Sequence, residues 1–340
     1  MTLVSVCIPT YNGEEYLEEC LTSTIRQTFQ NLEIIVCDDG SSDRTLDIAN
    51  QIAQADRRLV IHRNAVRLGI PGNWNRCLDL AQGRWIKFMG QDDYLADDCI
   101  EVMVRAVDQT GRMVVCDRQV AYQDVDHRFQ EDFNSYIAEN PLHKVGETRT
   151  FEAEDISRFV LGRLNDNFIG EPVFTLFPHD VIKDVGYFDD RFVLWSDYEM
   201  WTRIAVNRGL LWLPDRLATF RFHSKAQSRT NFGSSAFRSN TVEPLLLLAS
   251  FASRPEFRTL REVARQVSPE IDLSRELSQR VLALQRTTRR KASPTEDVYR
   301  VELTGLLADE YVSHVLKSFP WYQRLARRHF ERPRWLGKAW

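Results

Sequence analysis

No two of the six cysteines form a C-x-x-C pair. All six (Cys7, Cys20, Cys37, Cys77, Cys99 and Cys116) fall within the first 116 residues of the 340-residue chain. Cys7, Cys37 and Cys116 sit inside apolar runs, where a thiol acts as a small hydrophobe. A disulfide framework or a zinc site is therefore not expected, and a reducing compartment is. Glycine (15) and proline (12) are too scarce for a collagen-like or low-complexity chain. The longest apolar stretch, Leu245 to Ala249 with Phe251 and Ala252 beyond, falls far short of the ~20 residues that cross a bilayer. The opening MTLVSVCIPTYNG has no basic region and reaches proline and polar residues within its first ten or so positions, so it is not expected to act as a signal peptide. Positive charge is not in excess either. The 44 basic and 48 acidic residues leave a net −4, which excludes a globally cationic nucleic-acid coat, and no nucleic-acid partner is expected. These absences leave a soluble or peripheral protein, expected in the cytoplasm.

What is present is enough apolar sequence, 43%, to bury a substantial core without staples, in about two domains. Short β-branched runs alternate with longer amphipathic ones. Strands are expected at Leu3–Ile8, Leu32–Cys37, Leu59–His62, Trp85–Met89 and Met113–Cys116. Helices are expected between them, at Glu14–Thr28, Asp43–Ala55, Asn73–Ala81 and Ala96–Val107. This β-α-β-α order predicts an α/β fold, a mostly parallel sheet with flanking helices, which binds ligands beyond the carboxyl ends of its strands. Residues 118–150 read as an insertion or long loop. Beyond them Phe151–Leu161 and Ser196–Asn207 read as helices, Pro172–Phe177 and Leu217–Phe222 as strands, and 240–340 as helical. The expected division is a catalytic domain over 1–235 and a helical C-terminal region over 236–340.

Polar residues after the strands carry the chemistry. Asp38 and Asp39 end one apolar strand, and two adjacent carboxylates there repel unless each has a partner. A cap for the next helix uses one at most, so at least one is expected to bind a ligand, while Ser41 or Ser42 caps that helix with Asp43 in its first turn. Asp92 and Asp93 follow another apolar strand, and a hard divalent cation is commonly held by one or two such carboxylates plus substrate phosphates. Ser196 and Glu199 have capping-box spacing, which leaves Asp197 unexplained between two aromatics, where a raised pKa suits a general base. His223, closing Phe220-Arg221-Phe222-His223, reads more readily as an ordinary core or surface histidine than as a ligand. Glu171, between Gly170 and Pro172, reads equally as a turn residue or as an acceptor for a hydroxyl in a pocket.

Four blocks taken together resemble the family 2 glycosyltransferases, which have a GT-A (Rossmann-like) fold. They are VSVCIPTYNGEEYLEECLTSTIRQTFQNLEIIVCDDGSSDRT, NWNRCLDLAQGRWIKFMGQDDYL, VGYFDDRFVLWSDYEMWTRIAVNRG and FRFHSKAQS, within residues 3–230. The resemblance implies a nucleotide-sugar site in which Pro9, Thr10 and Tyr11 line the base and ribose pocket. Asp39 would accept from the pyrimidine N3–H, and Asn75 and Asp92 would hold the sugar nucleotide. It implies Mn²⁺ or Mg²⁺ on Asp93, with His223 completing the site, and Asp197 as the catalytic base. Glu171, Trp195 and Glu199 fall on the acceptor side. Two positions depart from the family's pattern. Gly90 stands where many members carry Asp, and Ser196 replaces the glutamate that precedes the base, a role Glu199 is expected to take over. The activity implied is inverting transfer from a UDP- or dTDP-sugar to a saccharide acceptor, including a lipid-linked one, in cell-surface polysaccharide synthesis. The alternative is a non-catalytic nucleotide-sugar-binding or scaffold protein. A nucleotidyltransferase fits less well, because ThrTyrAsnGlyGlu supplies no glycine- and arginine-rich phosphate loop after the first strand.

Charge is uneven along the chain. Residues 286–340 carry 12 basic and 6 acidic side chains against 32 and 42 in the remainder. The segment 319–340 mixes arginines with Trp321, Trp335 and Trp340. That composition reads equally as an interfacial membrane segment at the inner membrane face or as a helix packed on the body.

Overall fold

The structure, a computed structural model, describes residues 3–107, 111–164, 166–223, 237–267, 271–288, 296–319 and 322. It divides into two compact units, 1–232 and 233–340. The expected interfacial segment lies outside the described residues, apart from Phe319 and Tyr322.

In the first unit, strands β1 (Val4–Thr10), β2 (Leu32–Asp38) and β3 (Leu59–Arg63) alternate with helices α1 (Leu17–Ile25), α2 (Thr45–Ala53) and α3 (Gly69–Leu80). Then come β4 (Trp85–Phe88), β5 (Tyr94–Leu95), α4 (Cys99–Ala106), β6 (Met113–Gln123), α5 (His127–Ala138), β7 (Arg149–Phe151) and α6 (Ala153–Gly162). β8 (Thr175–Pro178), the short α7 (Ile182–Val185), α8 (Ser196–Arg208) and β9 (Leu210–His223) complete it. The nine strands form one sheet in the order β3-β2-β1-β4-β8-β6-β9-β5, with β7 also on β9. β3, β2, β1 and β4 are parallel, and β6 and β9 run the same way. β8, β5 and β7 are antiparallel to their neighbours. The central strands are covered on both faces, which is why β1, β2 and β4 read as mostly apolar runs, broken only by Ser5, Glu33 and Lys87 before the polar ends of β1 and β2.

This topology gathers the chemistry at one edge. The carboxyl ends of β1, β2, β4, β6 and β9 bring Tyr11, Asp39, the 90–93 turn, Tyr122 and His223 to the same side of the sheet. β8 runs the opposite way, so the turn that precedes it, with Glu171, reaches that edge too.

Three local expectations change. Residues 118–150 are not a long loop: 118–123 extend β6 beside β9, 127–138 form α5, and Arg149–Phe151 form β7. Weak periodicity there reflects a half-exposed strand and an exposed, aromatic-rich helix. Pro172–Phe174 forms a 3₁₀ turn, and the strand starts only at Thr175. The predicted strand 217–222 is the end of a much longer β9.

Helix α8 is buried nearly all round, from Tyr198 to Val206. Its expected capping box does not form: the Ser196 hydroxyl is buried without a partner. The helix ends at Gly209, whose φ of +74° favours glycine, and where a Cβ would collide with the Phe151 carbonyl oxygen of β7.

The second unit is helical. Its helices are α9 (Glu243–Ser253), α10 (Arg258–Gln266), α11 (Leu273–Thr288), α12 (Glu296–Ala308) and α13 (Glu310–Lys317). The apolar run Leu245–Ala249 is buried in α9, against α11 and α13. No helix among the described residues is long and apolar enough to cross a membrane.

The α8–β9 junction gives a direct test of packing. Gly209→Ala should lower stability by about 2 kcal/mol or more, read as a fall in the urea midpoint, because the left-handed backbone and the carbonyl contact add. Gly146→Ala, at an open position with ordinary backbone, should change it by less than about 0.5 kcal/mol.

Candidate active site

The crevice is stitched together from three loops. After β1, the Tyr11 backbone N–H donates to Gln91 Oε1 at 2.9 Å, and Gln91 Nε2 donates back to the Tyr11 carbonyl at 3.1 Å. The Asp39 N–H donates to the Thr10 carbonyl at 2.9 Å, and the Thr10 hydroxyl to the Cys37 carbonyl at 3.3 Å. Pro9, Thr10 and Tyr11 thus lie between the Asp39 loop and the 90–93 turn. The Tyr11 ring is exposed and carries the Arg67 guanidinium 3.9 Å above its centre.

The two aspartates after β2 have different duties. Asp38 Oδ2 accepts from the Gly40 and Ser41 N–H groups at 3.2 and 3.0 Å, an Asx turn that needs no serine cap. Asp43, two residues before α2 begins at Thr45, accepts from the Thr45 N–H at 3.0 Å, and no side chain caps the helix. Asp39, 3% exposed, accepts from Asn64 Nδ2 (2.9 Å) and the N–H groups of Leu68 (2.7 Å) and Gly69 (2.9 Å). Three of about four acceptor sites are taken by the chain itself, which leaves one for a base.

At the 90–93 turn, Asp92 Oδ2 meets His223 Nε2 at 2.9 Å, and Asp93 Oδ1 accepts from the Arg221 N–H at 3.0 Å. Burial, and then the neighbouring Asp92, holds the Asp93 carboxyl well above the usual range. Gly90 has a steric reason: a Cβ there would lie 2.7 Å from Asp93 Oδ2 and 2.8 Å from Asp92 Oδ1. The His223 ring lies 4.6 Å from that of Tyr16, and its Nδ1 is buried without a partner.

Among the described residues, no group of three or more His, Cys, Asp and Glu side chains is arranged to hold an ion. His223 bonds to Asp92, the neighbour of the expected metal ligand Asp93. Asp92 and Asp93 nonetheless supply hard oxygen donors that fit a divalent cation drawing its remaining oxygens from a diphosphate, with the His223 ring beside Asp92.

Across the crevice, half-buried Asp197 lies in the first turn of α8 and accepts from the Tyr198 N–H at 2.6 Å. Burial, then the charge of Glu171, pushes its carboxyl up to about 7. Glu171 raises Asp93 as well, so one carboxylate stands within electrostatic reach of both. Opposing them is Arg118, 3% exposed at its side chain, with Nε 3.2 Å from Glu171 Oε2.

The family model described as "Glycosyl transferase family 2" matches residues 5–164. The uncharacterized protein MT1568 of Mycobacterium tuberculosis is 31% identical over 229 residues, 67% of this chain and 69% of that protein. The chain belongs to glycosyltransferase family 2. The Escherichia coli UDP-Glc:alpha-D-GlcNAc-diphosphoundecaprenol beta-1,3-glucosyltransferase WfaP is 42% identical over 94 residues, 28% of this chain and 37% of WfaP. The crystal structure of S. aureus TarS 1–349 in complex with UDP-GlcNAc aligns with a TM-score of 0.56 at 17% identity, over 95% of this chain and 92% of that one. That likeness establishes the fold, which is GT-A.

In this glycosyltransferase two of the expected ligands make bracing contacts. Both ends of the Asn75 amide bond the Phe188 backbone at 2.9 Å, so Asn75 ties α3 to the loop before α8, with one N–H and one lone pair of the amide still to spare. Glu199 is fully buried and pairs with Arg203 at 2.7 Å, one turn along α8, so it cannot face an acceptor. Trp195 packs on the Tyr198 ring at 5.7 Å. The glycosyltransferase also uses residues the sequence did not single out. Arg118 follows an apolar strand end, the only signal it offered. Arg221 donates from Nε to the Asp92 carbonyl at 2.9 Å and from Nη2 to Glu19 at 2.5 Å, bracing the acidic turn.

Glu199→Ala should strand Arg203 as a buried charge and cost about 3–5 kcal/mol, measured by denaturant unfolding; a change under about 1 kcal/mol would remove the bracing role. Folded Asp197 keeps its proton up to about 7, whereas the unfolded group releases it near the ordinary 3.8. The folded state binds more protons between those values, so stability due to Asp197 is present at low pH and is lost as pH rises through about 7. The unfolding free energy of Asp197→Asn minus that of wild type should therefore climb between about pH 4 and about pH 7. A flat difference contradicts the assignment.

Proposed function

We propose that this glycosyltransferase moves a hexosyl or deoxyhexosyl group from a UDP- or dTDP-sugar to a saccharide hydroxyl with inversion, using Asp197 as base. One observation carries the reading: half-buried Asp197, in the first turn of α8, shares the neighbour Glu171 with Asp93 of the acidic turn, at the edge where the parallel strands end. A base works best when its pKa is close to the operating pH.

The donor's base would stack on Tyr11, with its N3–H on the remaining acceptor site of Asp39 and with Pro9 and Thr10 beneath. Uracil and thymine share that N3–H edge. Asp93, with Asp92 and His223, would hold Mn²⁺ or Mg²⁺ on the diphosphate. When bound, the cation offsets negative charge on the leaving group. Glu171 keeps the proton affinity of Asp197 high and, with Trp195, borders the acceptor's place. The acceptor oxygen attacks the anomeric carbon as its proton passes to an Asp197 oxygen. The bond from that carbon to the diphosphate oxygen breaks, and the single displacement inverts the configuration. The catalytic machinery is assigned to residues 1–235.

The name of WfaP, a UDP-glucose enzyme acting on a diphosphoundecaprenol-linked sugar, supports a UDP-sugar donor and a lipid-linked acceptor. This suits cell-surface polysaccharide synthesis at the inner membrane face, with the basic aromatic tail 319–340 as the membrane contact. Six buried, unpaired cysteines suit the cytoplasm. Asp39, Asp93 and Asp197 at one sheet edge favour an enzyme over a scaffold.

Asp197→Asn should lower kcat for transfer by about 10²-fold or more while donor Kd stays within about threefold, measured by product formation and by calorimetry with UDP-sugars. Wild-type kcat/KM should rise with pH through about 7. Loss of donor binding in the variant, or unchanged transfer, removes Asp197 from the role.

A further inference from the structure

Helix α5 carries Phe129, Phe133 and Tyr136 at i, i+4 and i+7, an aromatic stripe along one face. At its start the stripe is anchored on Phe222, whose ring lies 4.7 Å from Phe129 and 5.7 Å from Phe133, and Phe222 precedes His223. At its end Tyr136 Oη donates to the Asn167 carbonyl at 3.1 Å. The same carbonyl accepts from Arg118 Nη2 at 2.6 Å, and Arg118 faces Glu171. The stripe therefore runs beside the crevice, from the acidic turn to the base.

These rings are not a closed core. Tyr136 is 37% exposed, and Phe133 and Tyr122 are half-buried. Tyr122 joins the stripe from the end of β6, with its ring 6.4 Å from Phe222 and its hydroxyl donating to Asn134 at 2.8 Å. Glu171 is among the charges that raise both tyrosines, which independently puts their hydroxyls near the reacting centre. Both hydroxyls have spent their protons within the chain and offer lone pairs outward.

We propose that Tyr122, Phe133 and Tyr136 form an acceptor subsite that stacks a pyranose ring beside Asp197. This rests on the reading of Asp197 as base, because a hydroxyl held there leaves the rest of the acceptor over the neighbouring surface. The chemistry selects a sugar over a polyprenyl chain. A pyranose has an apolar C–H face and a hydroxyl rim, matching aromatic faces edged with tyrosine oxygens and the Asn134 amide. A hydrocarbon chain would cover the remaining hydroxyl lone pairs and give them nothing to accept from.

Saturation-transfer NMR on the full chain tests it, with methyl glycosides of glucose, galactose and N-acetylglucosamine as probes, against sorbitol, galactitol and farnesyl phosphate. At least one glycoside should receive saturation on the C–H protons of one ring face, and the hexitols none. Tyr136→Ala should weaken that signal at least about fivefold, and Tyr136→Phe, which keeps the ring, less than about twofold. An unchanged signal in Tyr136→Ala, equal signals from hexitols, no glycoside signal, or preferential saturation of the farnesyl chain overturns the subsite. The Asp197→Asn assay scores the base separately, since glycoside binding needs no donor and no turnover.

Discussion

Four carboxylates crowd one edge of the sheet, and their mutual repulsion is the constraint around which the rest is arranged. Asp92 and Asp93 are adjacent on one turn, Glu171 reaches both Asp93 and Asp197, and burial denies them water. Like charges in such a place ionise only at a cost. Arg221 bonds the turn through its backbone and its guanidinium. Arg118 is buried against Glu171, and His223 against Asp92. A cation on a diphosphate would relieve the repulsion that remains, so this edge suits a bound, metal-neutralised donor.

The scaffolding behind this edge is itself polar and buried, which is unusual for a sheet core. Lys87, fully buried on β4, donates to the Val173 carbonyl and holds the turn that carries Glu171. Asn75 fixes the loop leading to α8, and Glu199 with Arg203 fixes α8 to the Val185 and Tyr187 carbonyls. Each brace ends on a backbone atom of a loop next to the crevice. Such loops lack ladder hydrogen bonds, and buried side-chain donors supply the missing partners. Precision at Asp197 and Glu171 thus derives in part from buried side chains behind them.

Much of the fold was legible in the chain. Strands β1 to β4 and their helices appear as alternating apolar periods, because a sheet covered on both faces demands continuous runs and its crossovers demand amphipathic helices. Asp197 stood out as a carboxylate that capping could not explain, and Gly90 and Ser196 as departures. The second half of β6 and α5 stayed hidden, since a half-exposed strand and an aromatic helix show no clean period. Glu199 misled because a polar residue in a recognisable block looks the same whether it faces a ligand or a buried arginine. Arg118 was missed for the converse reason: one arginine after a strand carries no local sign of burial.

The chain alone determined the α/β alternation, the acidic turns at strand ends and membership of the family. These depend on neighbours within a few residues, where periodicity and turn chemistry act. Only the tertiary structure decided which partner each charged group takes. His223 chose Asp92 across 131 positions, Asn75 chose Phe188 across 113, and Arg118 chose Glu171 from another strand. Those choices turn on ångström-scale distances and on the exclusion of water, and both exist only once the sheet has brought distant loops to one edge.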